Sequence, residues 1–344
     1  MNKRGQLTEE KQISKKIKVK RQPVILDNAP PINCLNDLVE IGNSIKLYKN
    51  IDTVMLWRIS PYIEQLDNLV GMNSLKETMF YQILYYLQGM HLRDDSSEYL
   101  HTMIYGAPGC GKTTVAQIIG KIYQTLGILS RDGIFKIAHR DDFIAGYLGQ
   151  TATKTQKLLK SCIGGILFID EVYSLAPRES DKDSFSKEAL DTLTAFLSEH
   201  KKDFCCIAAG YEEDVENCFF AMNKGLKRRF PWVHKIDKYT SEEMANIFLK
   251  MIKESNWIIN VSAKNINELI KENIKYFINT GGDIETFLTK CKIAHSKRVI
   301  SLDGDHKFIL TIADLQNGIE LVKKNKTIEA EAEEDSRHLH SLYI

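Results

Sequence analysis

Apolar residues recur along this chain in two rhythms. Leu75, Met79, Ile83 and Leu87 stand four apart, the spacing of one helix face, and follow Asn73 and Ser74, which can cap, so a helix is expected within residues 66–90. Short, mostly apolar runs come next: Met103-Ile104-Tyr105, Phe135-Lys136-Ile137-Ala138, Ile166 to Ile169, and Phe204 to Ala209. Runs of this length read as buried strands. Helix-compatible stretches separate them, among them Thr114 to Ile119 and Glu188 to Leu197, the latter with Leu190, Leu193 and Leu197 along one side. Strands alternating with helices imply an α/β fold, a parallel sheet covered by helices on both faces.

Past residue 238 the pattern turns to helices alone. Thr240 with Glu243 reads as a capping box opening a helix with Met244, Ile247, Phe248 and Met251 on one side. Further helical segments are expected at Asn265 to Ile278, Asp283 to Val299 and Ile312 to Lys323. The boundary therefore falls near Asp237, with an α/β domain at 46–237 and a small all-helical domain at 238–326. No internal repeat is visible.

At 344 residues with 43% hydrophobic and 26% charged positions, the composition is that of an ordinary globular protein with room for two domains. Its net charge of +1 gives no overall bias toward nucleic acid or membrane. Locally the charge is uneven. Residues 1–22 carry eight Lys or Arg against Glu9 and Glu10 with little to bury, so 1–45 is expected to be a disordered basic arm, and 327–344 an acidic tail. Seven cysteines without a paired C-x-x-C spacing suit a reducing compartment and give no zinc pattern. No apolar run approaches the ~18 residues that span a bilayer, and the basic N-terminus lacks the apolar stretch of a signal peptide. The expected location is the cytosol, or the nucleus of a host that has one, without membrane partners.

Chemistry concentrates in two places. Gly106-Ala107-Pro108-Gly109-Cys110-Gly111-Lys112-Thr113 fills the pattern G-x-x-x-x-G-K-[ST] between an expected strand and an expected helix that Thr114 begins. Glycines let the main chain curl around a polyanion, so that several N–H groups converge on it at a helix N-terminus, where the dipole also favours negative charge. Lys112 can then reach the β- and γ-phosphates of ATP, and the Thr113 hydroxyl can ligate Mg²⁺. The second place is the run Ile166-Leu167-Phe168-Ile169-Asp170-Glu171, a buried strand that delivers two acids to the carboxyl edge of the sheet, where ligands bind in open α/β sheets. Asp170 would hold Mg²⁺ and Glu171 would act as general base on the attacking water. A strand that merely stops at two surface acids is the alternative, and the phosphate-binding pattern upstream weighs against it.

This combination of phosphate-binding loop, Asp-Glu strand end and helical C-terminal domain resembles the AAA+ ATPases. More narrowly, Ile144 to Thr155, Gly165 to Leu175 and Ala209-Gly210-Tyr211 look like the CbxX/CfqX family, which includes the red-type Rubisco activases, over about residues 66–324. The resemblance implies a homo-oligomeric ring, usually a hexamer, with ATP between subunits. It matches Asn223 to Phe230 with the segment that supplies an arginine finger to the neighbour's ATP, Arg229 rather than Arg228 being the choice; a basic surface loop is the alternative. Tyr147-Leu148-Gly149 matches the loop that lines the pore of threading rings, where an aromatic can grip a polypeptide of any sequence; a tyrosine packed on its own domain is the alternative. Leu69-Val70-Gly71 matches the segment whose backbone borders adenine, Val70 and Gly71 being the binding positions; a plain loop is the alternative.

Two departures stand out. The stretch Gly281-Gly282-Asp283-Ile284-Glu285 lacks the sensor 2 arginine common in such proteins, and Lys290 and Lys292 lie one to two turns too late to replace it. The strand ending Ala208-Ala209-Gly210-Tyr211 lacks the Asn or Thr that often orients the attacking water, leaving Tyr211 as a candidate. The implied activity is Mg²⁺-dependent ATP hydrolysis by a ring that remodels a protein client through its pore. Two other readings stay open: a nucleotide-dependent switch or loader acting on nucleic acid through residues 1–22, and a scaffold that holds ATP with weak hydrolysis.

Overall fold

The computed structural model describes residues 24–92, 98–147, 149–176, 184–278, 281–300 and 305–341. Five strands form the central sheet: β1 (Thr102–Tyr105), β2 (Phe135–Ala138), β3 (Ile166–Ile169), β4 (Cys205–Gly210) and β5 (Trp232–Lys235). They lie in the order β2-β3-β4-β1-β5, and all pairs are parallel. In register, Ile104 lies beside both Ala209 and His234, and Phe168 beside Ile207. β1 and β3 are buried along their whole length, which is why they read as unbroken apolar runs.

Alternate residues serve two cores. Ile104, Ile166, Phe168, Cys205, Ile207 and Ala209 face one cluster, while Met103, Tyr105, Leu167, Ile169, Cys206 and Ala208 face the other. Among the described residues ten helices have nine or more residues; the first eight are α1 (Leu35–Asn43), α2 (Thr53–Asp67), α3 (Asn73–Leu87), α4 (Lys112–Leu126), α5 (Thr151–Lys160), α6 (Ser184–Glu199), then α7 (Ser241–Glu254) and α8 (Ala263–Glu272). Two longer helices, α9 (Gly281–Val299) and α10 (Ile312–Ser341), complete the small C-terminal domain. On the first face α4 contributes Val115, Ile118, Ile119 and Ile122, and the same cluster continues through Phe248 and Phe287 into the small domain. On the second, α5 and α6 contribute Leu158, Leu159, Leu190, Leu193 and Leu197. Each such fully buried side chain contributes about 1.5–3 kcal/mol.

Several expectations need correcting. Residues 1–23 of the expected arm lie outside the described residues, but 24–45 are ordered: Ile25–Leu26 pairs in parallel with Leu47–Tyr48, and α1 buries Leu35, Leu38 and Ile41 against α2. Asp37 holds the start of α1, accepting from the Asn33 and Cys34 N–H groups at 2.7 and 3.1 Å. The basic run had hidden this amphipathic stretch. The C-terminal domain is not all helical, since Ile258–Ile259 pairs in parallel with Ile309–Leu310. The helix expected within 66–90 starts at Asn73, so Asn73 and Ser74 lie inside it and Met72, at φ 57°, stands at its N-cap. The acidic stretch 327–344 continues α10 as far as Ser341.

Candidate functional site

The loop Gly106–Gly111 leaves β1 and feeds α4 at the carboxyl edge of the sheet. Its first residue is tied to the neighbouring strand, the Gly106 N–H donating to the Gly210 carbonyl at 3.1 Å. Gly109 and Gly111 sit at φ 69° and 94°, in the left-handed region where a side chain is strained. Gly111 is the N-cap of α4 and supplies no side chain, so the first-turn N–H groups at Lys112, Thr113 and Thr114 are left for an outside acceptor. Gly106, Ala107 and Pro108 are half-buried, Gly109 is exposed and Cys110 is buried. Lys112 is only 8% exposed; its Nζ donates to the carbonyls of Gly106 and Ala107 at 3.2 and 3.0 Å, inside the curl of the loop.

Asp170 follows the last residue of β3 and is half-buried. Its Oδ1 accepts the Glu171 N–H at 3.0 Å, and Glu171 takes φ 49° and ψ 50°, a left-handed backbone that few non-glycine residues adopt. The turn places the Glu171 side chain in the open. Burial pushes the Cys110 thiol up. β3 and β1 are both parallel to β4 and lie on either side of it, so the turn after β3 and the loop after β1 open on the same edge. The two sequence motifs thus meet at one edge. Thr113, half-buried beside Lys112, and Asp170 supply hydroxyl and carboxylate oxygens, hard donors of the kind Mg²⁺ takes alongside phosphate oxygens. Among the described residues no group of three or more His, Cys, Asp or Glu is placed to hold a metal without such help.

Three elements bracket the loop, the expected Val70-Gly71 segment among them. Met72 Cε lies 3.5 Å from where a Cβ on Gly111 would stand, which brings the Val70-Gly71 segment against the end of the loop. Gly71, at φ 65°, has Glu243 of α7 2.5 Å from its own virtual Cβ. Tyr239 donates its hydroxyl to the Cys110 carbonyl at 2.9 Å. Finally, a Cβ on Gly281, the first residue of α9, would stand 2.4 Å from the Gly109 carbonyl oxygen. Of the later lysines, Lys292 is turned elsewhere, its Nζ over the Trp257 ring, 5.1 Å from its centroid. A cleft of about 250 Å³ lies beside the loop, with Gly106, Ala107, Cys110 and Tyr211 in its wall.

Two expected residues lie away from this cluster. Phe230 is 2% exposed and packs among His101, Phe219 and Phe220, anchoring the segment that presents Arg229. Within one subunit Arg229 is engaged, its Nε donating to Ser198 Oγ at 2.7 Å and its Nη1 to the Gly225 carbonyl at 2.6 Å, whereas Arg228 is exposed. Tyr147 is 75% exposed, which removes the alternative of a tyrosine packed on its own domain. Gly149 has φ 78°, and Leu148 lies outside the described residues. Both ends of this loop are fastened: Thr151 Oγ1 accepts from the Ala145 N–H at 3.2 Å, and Thr155 Oγ1 donates to the Phe143 carbonyl at 3.0 Å.

The model of the ATPase family associated with various cellular activities (AAA) matches residues 102–230, from β1 through Phe230. The chain is 39% identical over 306 residues to a cfxQ-like protein of Acanthamoeba polyphaga mimivirus, covering 86% of this chain and 74% of that protein. It is 33% identical over 219 residues to the CfxQ homolog of Pyropia yezoensis, covering 63% and 71% respectively. Among solved structures, the FIGL-1 AAA domain in complex with ADP superposes with a TM-score of 0.55 at 15% identity over 78% of this chain and 89% of that one, a likeness of fold.

Proposed function

The chain belongs to the AAA ATPases and, within them, to the CbxX/CfqX family of CfxQ-like proteins, and from that membership we propose that it binds and hydrolyses ATP at the subunit interfaces of a ring and uses the energy to remodel a protein client. The observation that carries the chemistry is that Lys112 and Asp170 follow parallel strands on either side of β4, at one edge of the sheet, around a loop with left-handed glycines and an uncapped helix start. In this reading the N–H groups of Gly109 to Thr114 hold the phosphates. Lys112 leaves the carbonyls of Gly106 and Ala107 for the β- and γ-oxygens. Thr113 and Asp170 would hold Mg²⁺, which when bound neutralises charge on those oxygens. Glu171 takes a proton from the water that attacks the γ-phosphorus as the bond to the bridging oxygen breaks. Val70 and Gly71 border the base, where Met72 meets the loop.

Ring assembly enters because Arg229 is held by Ser198 and Gly225 rather than at its own loop, so its guanidinium is read as serving the neighbour's site. The exposed Tyr147 supports contact with a client through the centre of such a ring. A Glu171→Gln variant should bind ATP with near-normal affinity and turn over at less than about a hundredth of the wild-type rate. The trapped variant should also retain client protein that the Glu171→Gln, Tyr147→Ala double variant does not. Turnover persisting in Glu171→Gln would remove Glu171 as base, and equal capture by both variants would remove Tyr147 as the gripping residue.

A further inference from the structure

A chain of hydrogen bonds leads from the phosphate-binding loop to the arginine segment of the same subunit. Tyr105 is the last residue of β1, directly ahead of Gly106, and stands in the wall of the cleft beside the loop. Its ring belongs to the second core, yet its hydroxyl leaves that core and donates to Glu216 Oε1 at 2.9 Å. Glu216 lies on the helix 212–222 that follows β4, within a π turn, Val215–Phe220, that buries Val215, Phe219 and Phe220 and leaves Glu216 half-buried. Turns of this kind interrupt a regular helix and are frequent at functional sites. The other carboxylate oxygen, Glu216 Oε2, accepts from Lys227 Nζ at 2.7 Å. Lys227 ends the short helix Lys224–Lys227, which Asn223 caps, and the Gly225 carbonyl of that helix is one of the two groups that hold Arg229, accepting from its Nη1 at 2.6 Å. As an ion pair with side chains 62% and 35% exposed, Lys227 and Glu216 contribute little to stability.

We propose that Glu216 is a positioning residue for hydrolysis: holding Tyr105 with one oxygen and Lys227 with the other, it ties a subunit's own phosphate-binding loop to the Arg229 that the subunit presents to its neighbour. The inference rests on the reading of Arg229 as the finger. A shift of Gly106 as the loop takes phosphate is felt at Tyr105, its neighbour in the chain, and passes through two charge-assisted bonds to the helix whose carbonyl holds or releases Arg229. Tyr105, Glu216 and Lys227 therefore act as one unit, and none of them has to touch ATP.

Tyr105→Phe cuts the first bond and keeps the ring in the core, and Lys227→Met cuts the second and keeps an unbranched side chain. In ATPase assays of the assembled protein with Mg²⁺, each should lower kcat about tenfold with KM for ATP within about twofold, because binding is left to the loop. The double variant should fall no further than either single one, since a chain cut twice is no more broken than a chain cut once, whereas independent effects would multiply to about a hundredfold. Lys227→Arg keeps a cation on Glu216 and should recover most of the wild-type kcat. Melting temperatures measured alongside check that the fold is retained. A merely structural role would give no split between kcat and KM. Wild-type kcat in either single variant, effects that multiply in the double, or Lys227→Arg as slow as Lys227→Met overturns the proposal. Arg229→Ala run in parallel keeps the two failures apart: turnover surviving there defeats the finger assignment itself, whereas turnover lost there with normal Tyr105→Phe and Lys227→Met defeats only the role of Glu216.

Discussion

Arg228 and Arg229 are neighbours in sequence, yet one packing detail separates them. Arg229 follows the main-chain turn into the buried Phe230 anchor and folds back on Ser198 and Gly225, while Arg228 points into the open. If Arg229 is the group that reaches a neighbouring subunit's phosphates, assembly must exchange two hydrogen bonds in the free subunit for charge-assisted ones. Arg229→Ala should then bind ATP normally and lose on the order of a thousandfold in kcat, with Arg228→Ala within a few-fold of wild type. Steady-state ATPase rates of the two variants decide it, and the opposite ranking transfers the finger to Arg228. At this scale the sequence was legible wherever function needs consecutive residues. Gly106 to Thr113 and Asp170-Glu171 are found by spacing alone, because the loop and the strand end each place their chemistry within one short stretch of chain.

Elements were legible in proportion to how fully they are buried. β3 stands out as four apolar residues because both of its faces are covered. β5 does not, since it is an edge strand bonded only to β1, with Val233 and Lys235 turned to solvent between the inward Trp232 and His234. α2 escaped notice because Pro61 sits in its middle, where proline ordinarily ends a helix, and packing of Leu56, Ile59 and Ile63 carries it through. At the head of α10, Asp314 is 1% exposed and gathers Arg298 at 2.9 Å, the Thr311 N–H at 2.8 Å and hydroxyl at 2.9 Å, and His295 at 3.2 Å. Burial drives its carboxyl up, but Arg298, Thr311 and His295 outweigh this and hold it at about 2, below the ordinary 3.8. A depressed folded value means that this group's stabilisation is complete above about pH 4 and lost as pH falls toward about 2. Asp314→Asn should lower the stability of the small domain by about 3 kcal/mol at pH 7 and flatten its melting temperature between pH 4 and pH 2. Thermal melts across that range test it, and an unchanged acid slope would count against the network.

Across the whole molecule, one apolar cluster runs from the sheet through α2, α3 and α4 into α7 and α9, so the small domain packs directly on the nucleotide-binding one. Gly281 is where that packing reaches the loop. Gly281→Ala would set a methyl carbon 2.4 Å from the Gly109 carbonyl oxygen, a backbone atom that cannot swing aside, so α9 or the loop must withdraw. ATP affinity should fall about tenfold, a shift of about 1.4 kcal/mol, readable by titration with a fluorescent nucleotide, and unchanged affinity would mean that this contact is not kept when ATP binds. Among the described residues no helix is long and apolar enough to cross a membrane. The amino-acid sequence alone determined the phosphate-binding loop, the paired acids and the α/β alternation, because these depend on backbone conformation and burial over a few adjacent residues. Tertiary structure alone decided that Met72, Tyr239 and Gly281 enclose the loop, and that Arg229 is engaged while Arg228 is free to solvent. Those are distances between segments tens of residues apart or orientations set by packing, and periodicity along the chain does not record either.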